Sequence, residues 1–169
     1  MISRRQVLFA SLAALFPKSL PAQSCVPAPD IAGAGPWLNS APLSLAKLKG
    51  KVVLVEFWTY GCYNCRNVMP YVKQWHARYA KQGMVVVGVH TPEFPHEADP
   101  ERVKRFLRDN AITHPVVMDN DSAIWNRWQN RYWPAMYLLN QSGELCYQHF
   151  GEGRYADTEG MIRRLIAEQ

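Results

Sequence analysis

Cys62-Tyr63-Asn64-Cys65 sets two thiols two residues apart, after the apolar run Lys51–Trp58 and before a stretch with helical periodicity. Two such cysteines can close a small disulfide. At the first turn of a helix, aligned peptide dipoles and free N–H groups favour a thiolate on the first of them. The thiolate is the attacking species in thiol–disulfide exchange, so this pair reads as a redox site. Zinc fits less well, because four ligands are needed and the chain has no second CxxC and no HxxxH. Arg66 follows Cys65, so the CxxCH haem-attachment pattern is absent. A purely structural disulfide across so short a loop would add little stability.

The elements that must hold this pair follow from periodicity. Residues 51–58 are nearly continuous in apolar residues, as a buried central strand should be. From Cys62 to about Lys81, Val68, Val72, Trp75 and Tyr79 fall on one helical face, and Gly83 ends the helix. Met84 to Val89 reads as a second buried strand, and Thr91 to Pro100, with its prolines, as a loop. Asp99-Pro100 should cap a helix that buries Val103, Phe106 and Leu107. His114 to Met118 is a short strand, and Asp121 or Ser122 opens a helix with Ile124, Trp125 and Trp128. Ala135 to Leu139 and Glu144 to Phe150 form a hairpin about Gln141-Ser142-Gly143, and a last helix runs from about Asp157 to Ala167. Alternating strands and helices closed by a hairpin predict an α/β sandwich with a mixed sheet. Trp58, Trp75, Trp125 and Trp128 are expected in the core and the site walls. His90, Glu93 and His96 are read as parts of a plain turn, with Glu93 a weak candidate for partner contact.

The chain has 169 residues, 48% of them hydrophobic, enough for one domain plus a leader. Its formal charge is +5, but Arg4, Arg5 and Lys18 lie in the first 24 residues with no acid. The remaining charge is mild, and no basic run interleaved with aromatics points to nucleic acid. Residues 1–24 have the form of an export signal: Arg4-Arg5, an apolar core from Val7 to Phe16 too short to span a bilayer, Pro17, then Ala22-Gln23-Ser24 for a signal peptidase. Ser3-Arg4-Arg5-Gln6-Val7-Leu8 resembles a twin-arginine signal, with a Sec signal as the alternative. Either route leads to a bacterial periplasm, where disulfides persist. Ala22-Gln23-Ser24 is a poor lipobox, which argues against a lipid anchor at Cys25. Residues 25–41 are expected to be an extended lead-in, and 42–169 the folded domain. Whether Cys25 pairs with Cys146 is open on the sequence.

Glu56-Phe57-Trp58-Thr59-Tyr60-Gly61-Cys62-Tyr63-Asn64-Cys65, with Pro70 beyond and Trp133-Pro134 later, resembles the active-site segment and cis-proline turn of thioredoxins. The chain is similar to exported thioredoxin-like redoxins of the TlpA and AhpC/TSA kind. It most resembles the redoxin domain of DipZ-type membrane electron carriers. Gly88-Val-His-Thr-Pro-Glu-Phe94, Asp119-Asn-Asp121, Asn130-Arg-Tyr-Trp-Pro134 and His149-Phe-Gly-Glu-Gly153 carry that likeness. The resemblance covers roughly residues 41–168. It implies a thioredoxin fold, a central mixed β-sheet flanked by helices with a redoxin-type insertion.

It also implies roles. Cys62 would be the nucleophile and Cys65 the resolving thiol. Glu56 stands where the family has a buried acid that takes the Cys65 proton. Pro134 would lie in a cis bond opposite the disulfide, and Trp133, Tyr63, Asn64 and Trp58 would shape the substrate surface. Arg66 could add positive field near the thiolate. No cofactor or metal is implied; the Cys62–Cys65 disulfide is itself the redox group. The expected function is a periplasmic thiol–disulfide oxidoreductase acting on protein substrates, as a reductant and as a monomer, with a separate membrane electron donor. No nucleic acid and no stable membrane insertion after signal cleavage are expected. A thiol peroxidase is an alternative, since Thr59 stands three residues before Cys62. A non-catalytic binding or chaperone module is another.

Overall fold

The computed structural model describes residues 24–33 and 35–168. The export-signal reading falls, Ser24 apart, outside the described residues. Seven strands form one sheet: β1 Val26–Pro27, β2 Trp37–Leu38, β3 Val52–Trp58, β4 Met84–His90, β5 Val116–Met118, β6 Ala135–Leu139 and β7 Glu144–Phe150, in the order β1-β7-β6-β3-β4-β5-β2. Strand β3 is parallel to β4 and antiparallel to β6, so the sheet is mixed. Among the described residues there are also four α-helices, α1 Tyr63–Tyr79, α2 Pro100–Asp109, α3 Ala123–Arg127 and α4 Tyr155–Ala167, and three short 3₁₀ turns. This is the thioredoxin-like α/β architecture expected. The segment between β4 and β6 is long enough to add α2 and β5, which is the insertion.

All seven residues of β3 are buried, because helices cover both faces of the sheet. Side chains alternate between those faces. Val53, Val55 and Phe57 join Val87, Val89, Ile124, Trp128 and Tyr137 on one side. Val52 and Leu54 meet Val68, Val72, Trp75 and Tyr79 of α1 and Ile162 and Leu165 of α4 on the other. Each large apolar side chain so buried contributes about 1.5–3 kcal/mol. Glu56 and Trp58 share the parity of Leu54, so the fold drives one carboxyl into the α1 face.

Several boundaries differ from the sequence reading: α3 ends at Arg127, before Trp128, and α4 begins at Tyr155 rather than about Asp157. β4 extends through His90, which is fully buried rather than part of a loop. β5 begins at Val116, since Pro115 can donate no ladder hydrogen bond. The helix caps are those expected: Asp99 accepts from the Glu101 and Arg102 N–H groups ahead of α2, and Gly83 takes a left-handed φ of 88° after the turn that follows α1.

The lead-in is tied down at two places. Trp37–Leu38 pairs with β5, and the register Val26↔Leu145 sets Cys25 opposite Cys146, where the two form a disulfide. The cross-link closes a separation of 121 residues, and large loops gain most from closure. Replacing Cys25 and Cys146 by Ser should lower the unfolding free energy by about 2–4 kcal/mol, read from urea unfolding under oxidising conditions. Unchanged stability would mean that the bridge does not hold β1 to β7.

Candidate functional site

The site lies where β3 ends and α1 begins. Gly61 leads into Cys62, which is the N-cap of α1: its Sγ accepts the Cys65 N–H at 3.1 Å. The N-terminus of a 17-residue helix therefore points at this sulfur, an arrangement that stabilises negative charge there. Cys62 and Cys65 form a disulfide. Cys62 is half-buried and Cys65 fully buried, so a partner molecule reaches the first sulfur only. Tyr63, 75% exposed, and Asn64 flank the opening. Arg66 donates from Nε to the Tyr60 carbonyl at 3.0 Å, which fixes its positive charge to the same turn.

Beneath the pair, Glu56, Trp58, Cys65, Met69, Val72, Ile112 and His114 line a small cavity. Desolvation pushes the Glu56 carboxyl up to about 8, so it holds its proton at neutral pH. The same cause pushes His114 down to about 3, helped by the neighbouring His76. The floor of the site is thus neutral: a protonated acid beside the inner sulfur and an uncharged imidazole. Trp58, read as a substrate-facing residue, is only 3% exposed and belongs to this floor, where it packs with Cys65 and Met118. Its position as the last β3 residue on the α1 face requires that.

The Trp133–Pro134 peptide is cis. The Trp133 ring packs against the same apolar cluster as Cys62, and its Nε1 donates to the Thr91 carbonyl at 3.1 Å. Pro134 itself is buried, while Tyr132 and Phe150 beside it stay exposed. The structure thus puts Glu56, Trp58 and Cys65 on one cavity, with Cys62 and Trp133 packed against the cluster that Trp58 and Cys65 share, and Tyr63 and Asn64 exposed beside the pair. Glu93 is exposed in the loop after β4, outside this group.

Sequence reasoning passed over two residues. His114 lines the Glu56 cavity; its only signal was a histidine before a short apolar strand. Glu97 is fully buried against the Gly61 turn. It sits three residues after Phe94 and accepts the Phe94 N–H, half of a capping box whose usual polar N-cap is missing. No His, Cys, Asp or Glu cluster among the described residues is arranged to hold a metal ion.

Because the folded-state pKa of Glu56 is raised, its contribution to stability is fully present below about 4.5 and is lost as pH rises through about 8. Glu56→Gln should therefore be more stable than the native protein at pH 9, by roughly 3–5 kcal/mol, and level with it near pH 4. Parallel urea melts at the two pH values check this. An equal difference at both would mean that the carboxyl is not held neutral by burial.

Residues 26–148 match the AhpC/TSA family. The chain is 42% identical over 147 residues to the DipZ protein of Mycobacterium tuberculosis, covering 85% of this chain but only 21% of that protein, so it spans about a fifth of the length of such relatives. It is 30% identical to the thiol-disulfide oxidoreductase YkuV of Bacillus subtilis, covering 84% of this chain and 95% of that one. Among solved structures, a thioredoxin-like protein in its oxidised form superposes with a TM-score of 0.77 at 30% identity, covering 86% of this chain and 97% of the other. With a thioredoxin-like fold and a CxxC pair at the head of its first long helix, the chain belongs to the AhpC/TSA family.

Proposed function

We propose that this protein works in the periplasm, delivered there by the twin-arginine-like signal in residues 1–24, and that it reduces disulfides in protein substrates. The observation that carries the proposal is the Cys62–Cys65 disulfide at the N-terminus of α1, with its inner sulfur on the Glu56 cavity. Cys62, as thiolate, attacks a substrate disulfide; a mixed disulfide forms and one substrate thiolate leaves. Glu56, whose raised pKa leaves a minor ionised fraction at neutral pH, takes the Cys65 proton when in that carboxylate form, and the Cys65 thiolate attacks the Cys62 sulfur. The second substrate sulfur leaves as a thiolate that takes up a proton from solvent, and the protein is left with its own disulfide. Two electrons pass to the substrate, and a membrane electron donor restores the dithiol.

Trp133 and Pro134 offer backbone for pairing with a substrate strand, and Tyr63 and Asn64 border the approach. Cofactors have no part in this scheme. Engagement of the Cys25 sulfur with Cys146 supports a protein without an acyl chain on that atom. The peroxidase alternative needs a Thr hydroxyl that meets peroxide, but Thr59 is fully buried with its hydroxyl 3.3 Å from His90 Nε2.

Two experiments test the reading. A Cys65→Ser variant should accumulate mixed disulfides through Cys62, seen as higher bands on non-reducing gels that vanish in Cys62→Ser; a chaperone or binding module would give none. Equilibration of the native protein with dithiothreitol or glutathione should place its reduction potential near about −270 mV, as for a reductant. A value near about −120 mV would assign it to disulfide donation.

A further inference from the structure

A second buried carboxylate touches the redox turn, at Gly61. Glu97 lies in the 3₁₀ turn Pro95–Ala98 between β4 and α2 and is fully buried. Its Oε2 accepts the Glu93 N–H at 2.7 Å and the Phe94 N–H at 3.1 Å. Its Oε1 is buried, accepts no hydrogen bond, and rests against the Cα of Gly61: a Cβ there would overlap that oxygen. Gly61 is the residue before Cys62, so the carboxylate abuts the backbone that carries the reactive sulfur. A glycine is needed at this position for the approach alone, since its φ is not left-handed.

The surroundings keep Glu97 ionised. Burial by itself would raise its pKa, but the Phe94 and Glu93 N–H groups, with the Thr59 hydroxyl and His90, outweigh this and hold it below the ordinary value. His90, facing it from β4, is pushed down to about 4, chiefly by desolvation and against the pull of Glu97, so it supplies no positive charge at neutral pH. The cation facing this turn from α1 is Arg66, which is exposed and therefore screened. The net result is a fixed, poorly screened negative charge beside Cys62.

We propose that Glu97 is a positioning residue that sets the redox bias of the Cys62–Cys65 pair: its carboxylate, held against Gly61, opposes the Cys62 thiolate and favours the disulfide over the dithiol. The inference rests on exchange chemistry at Cys62 and supplies a cause for the reductant direction. The dithiol becomes the less stable partner, so it passes its two electrons on more readily. The helix N-terminus acts in the opposite sense on the same sulfur, and the potential reflects the balance of the two.

The test compares native protein, Glu97→Gln and Gly61→Ala. Glu97→Gln removes the charge with little change of shape. Gly61→Ala keeps the charge but forces it off the turn. In each, the equilibrium constant with dithiothreitol should move about tenfold toward the dithiol, a rise in potential of about 30 mV. The Cys62 thiol pKa, read from the pH dependence of alkylation, should fall in step. A purely packing role for Glu97 would alter unfolding but not shift the potential and the thiol pKa together. If Glu97→Gln does not fold, Gly61→Ala decides. Native values of both quantities in the folded variants overturn the proposal. The native potential alone reports on the direction of electron flow, so failure of that reading shows separately.

Discussion

One constraint organises the molecule: β3 is covered on both faces, and its alternation puts a carboxyl at Glu56 where every neighbouring strand residue is apolar. An ionised carboxylate there would cost several kcal/mol, so the group stays protonated to about pH 8. The six apolar residues of the same strand, packed under α1, α3 and α4, outweigh that cost and fix where the carboxyl points. Because α1 starts directly above, Cys65 is buried on the Glu56 cavity while Cys62 is left at the surface. The difference between an accessible outer sulfur and a buried inner one is a consequence of how the strand feeds the helix.

Glu56 and Glu97 are the same residue type in opposite states. Glu56 has no hydrogen-bond donor to offset its burial and remains neutral. Glu97 is as deeply buried in accessible surface, yet two backbone N–H groups meet one of its oxygens and keep it charged. Environment, not composition, divides their roles. An acid that titrates near pH 8 under the inner sulfur can give up and take back a proton; a fixed charge beside the outer sulfur can only tilt the equilibrium.

Much of this was legible in the sequence. The run 51–58, the CxxC, the Val68–Val72–Trp75–Tyr79 face and the Asp99-Pro100 cap each carry a local rule, and each lies where that rule puts it. What could not be read depends on distant register. Cys25 meets Cys146 only because Val26 pairs with Leu145. His90 looked like loop because prolines crowd the residues after it, whereas pairing with Trp58 and Met118 keeps it in β4. Trp58 looked like a site wall by its nearness in sequence to Cys62, but strand parity turns it inward. Glu97 carried almost no signal, since its two partners are backbone groups and Gly61 is 36 residues earlier in the chain.

The central claim is that burial holds Glu56 protonated beneath Cys65. Carboxyl 13C NMR of the oxidised protein, with Glu56 assigned by comparison with Glu56→Gln, measures this directly. The account predicts a titration near pH 8 for this carbon. A titration near 4.5, the ordinary value, would contradict it: the carboxyl would then be charged at neutral pH despite its burial.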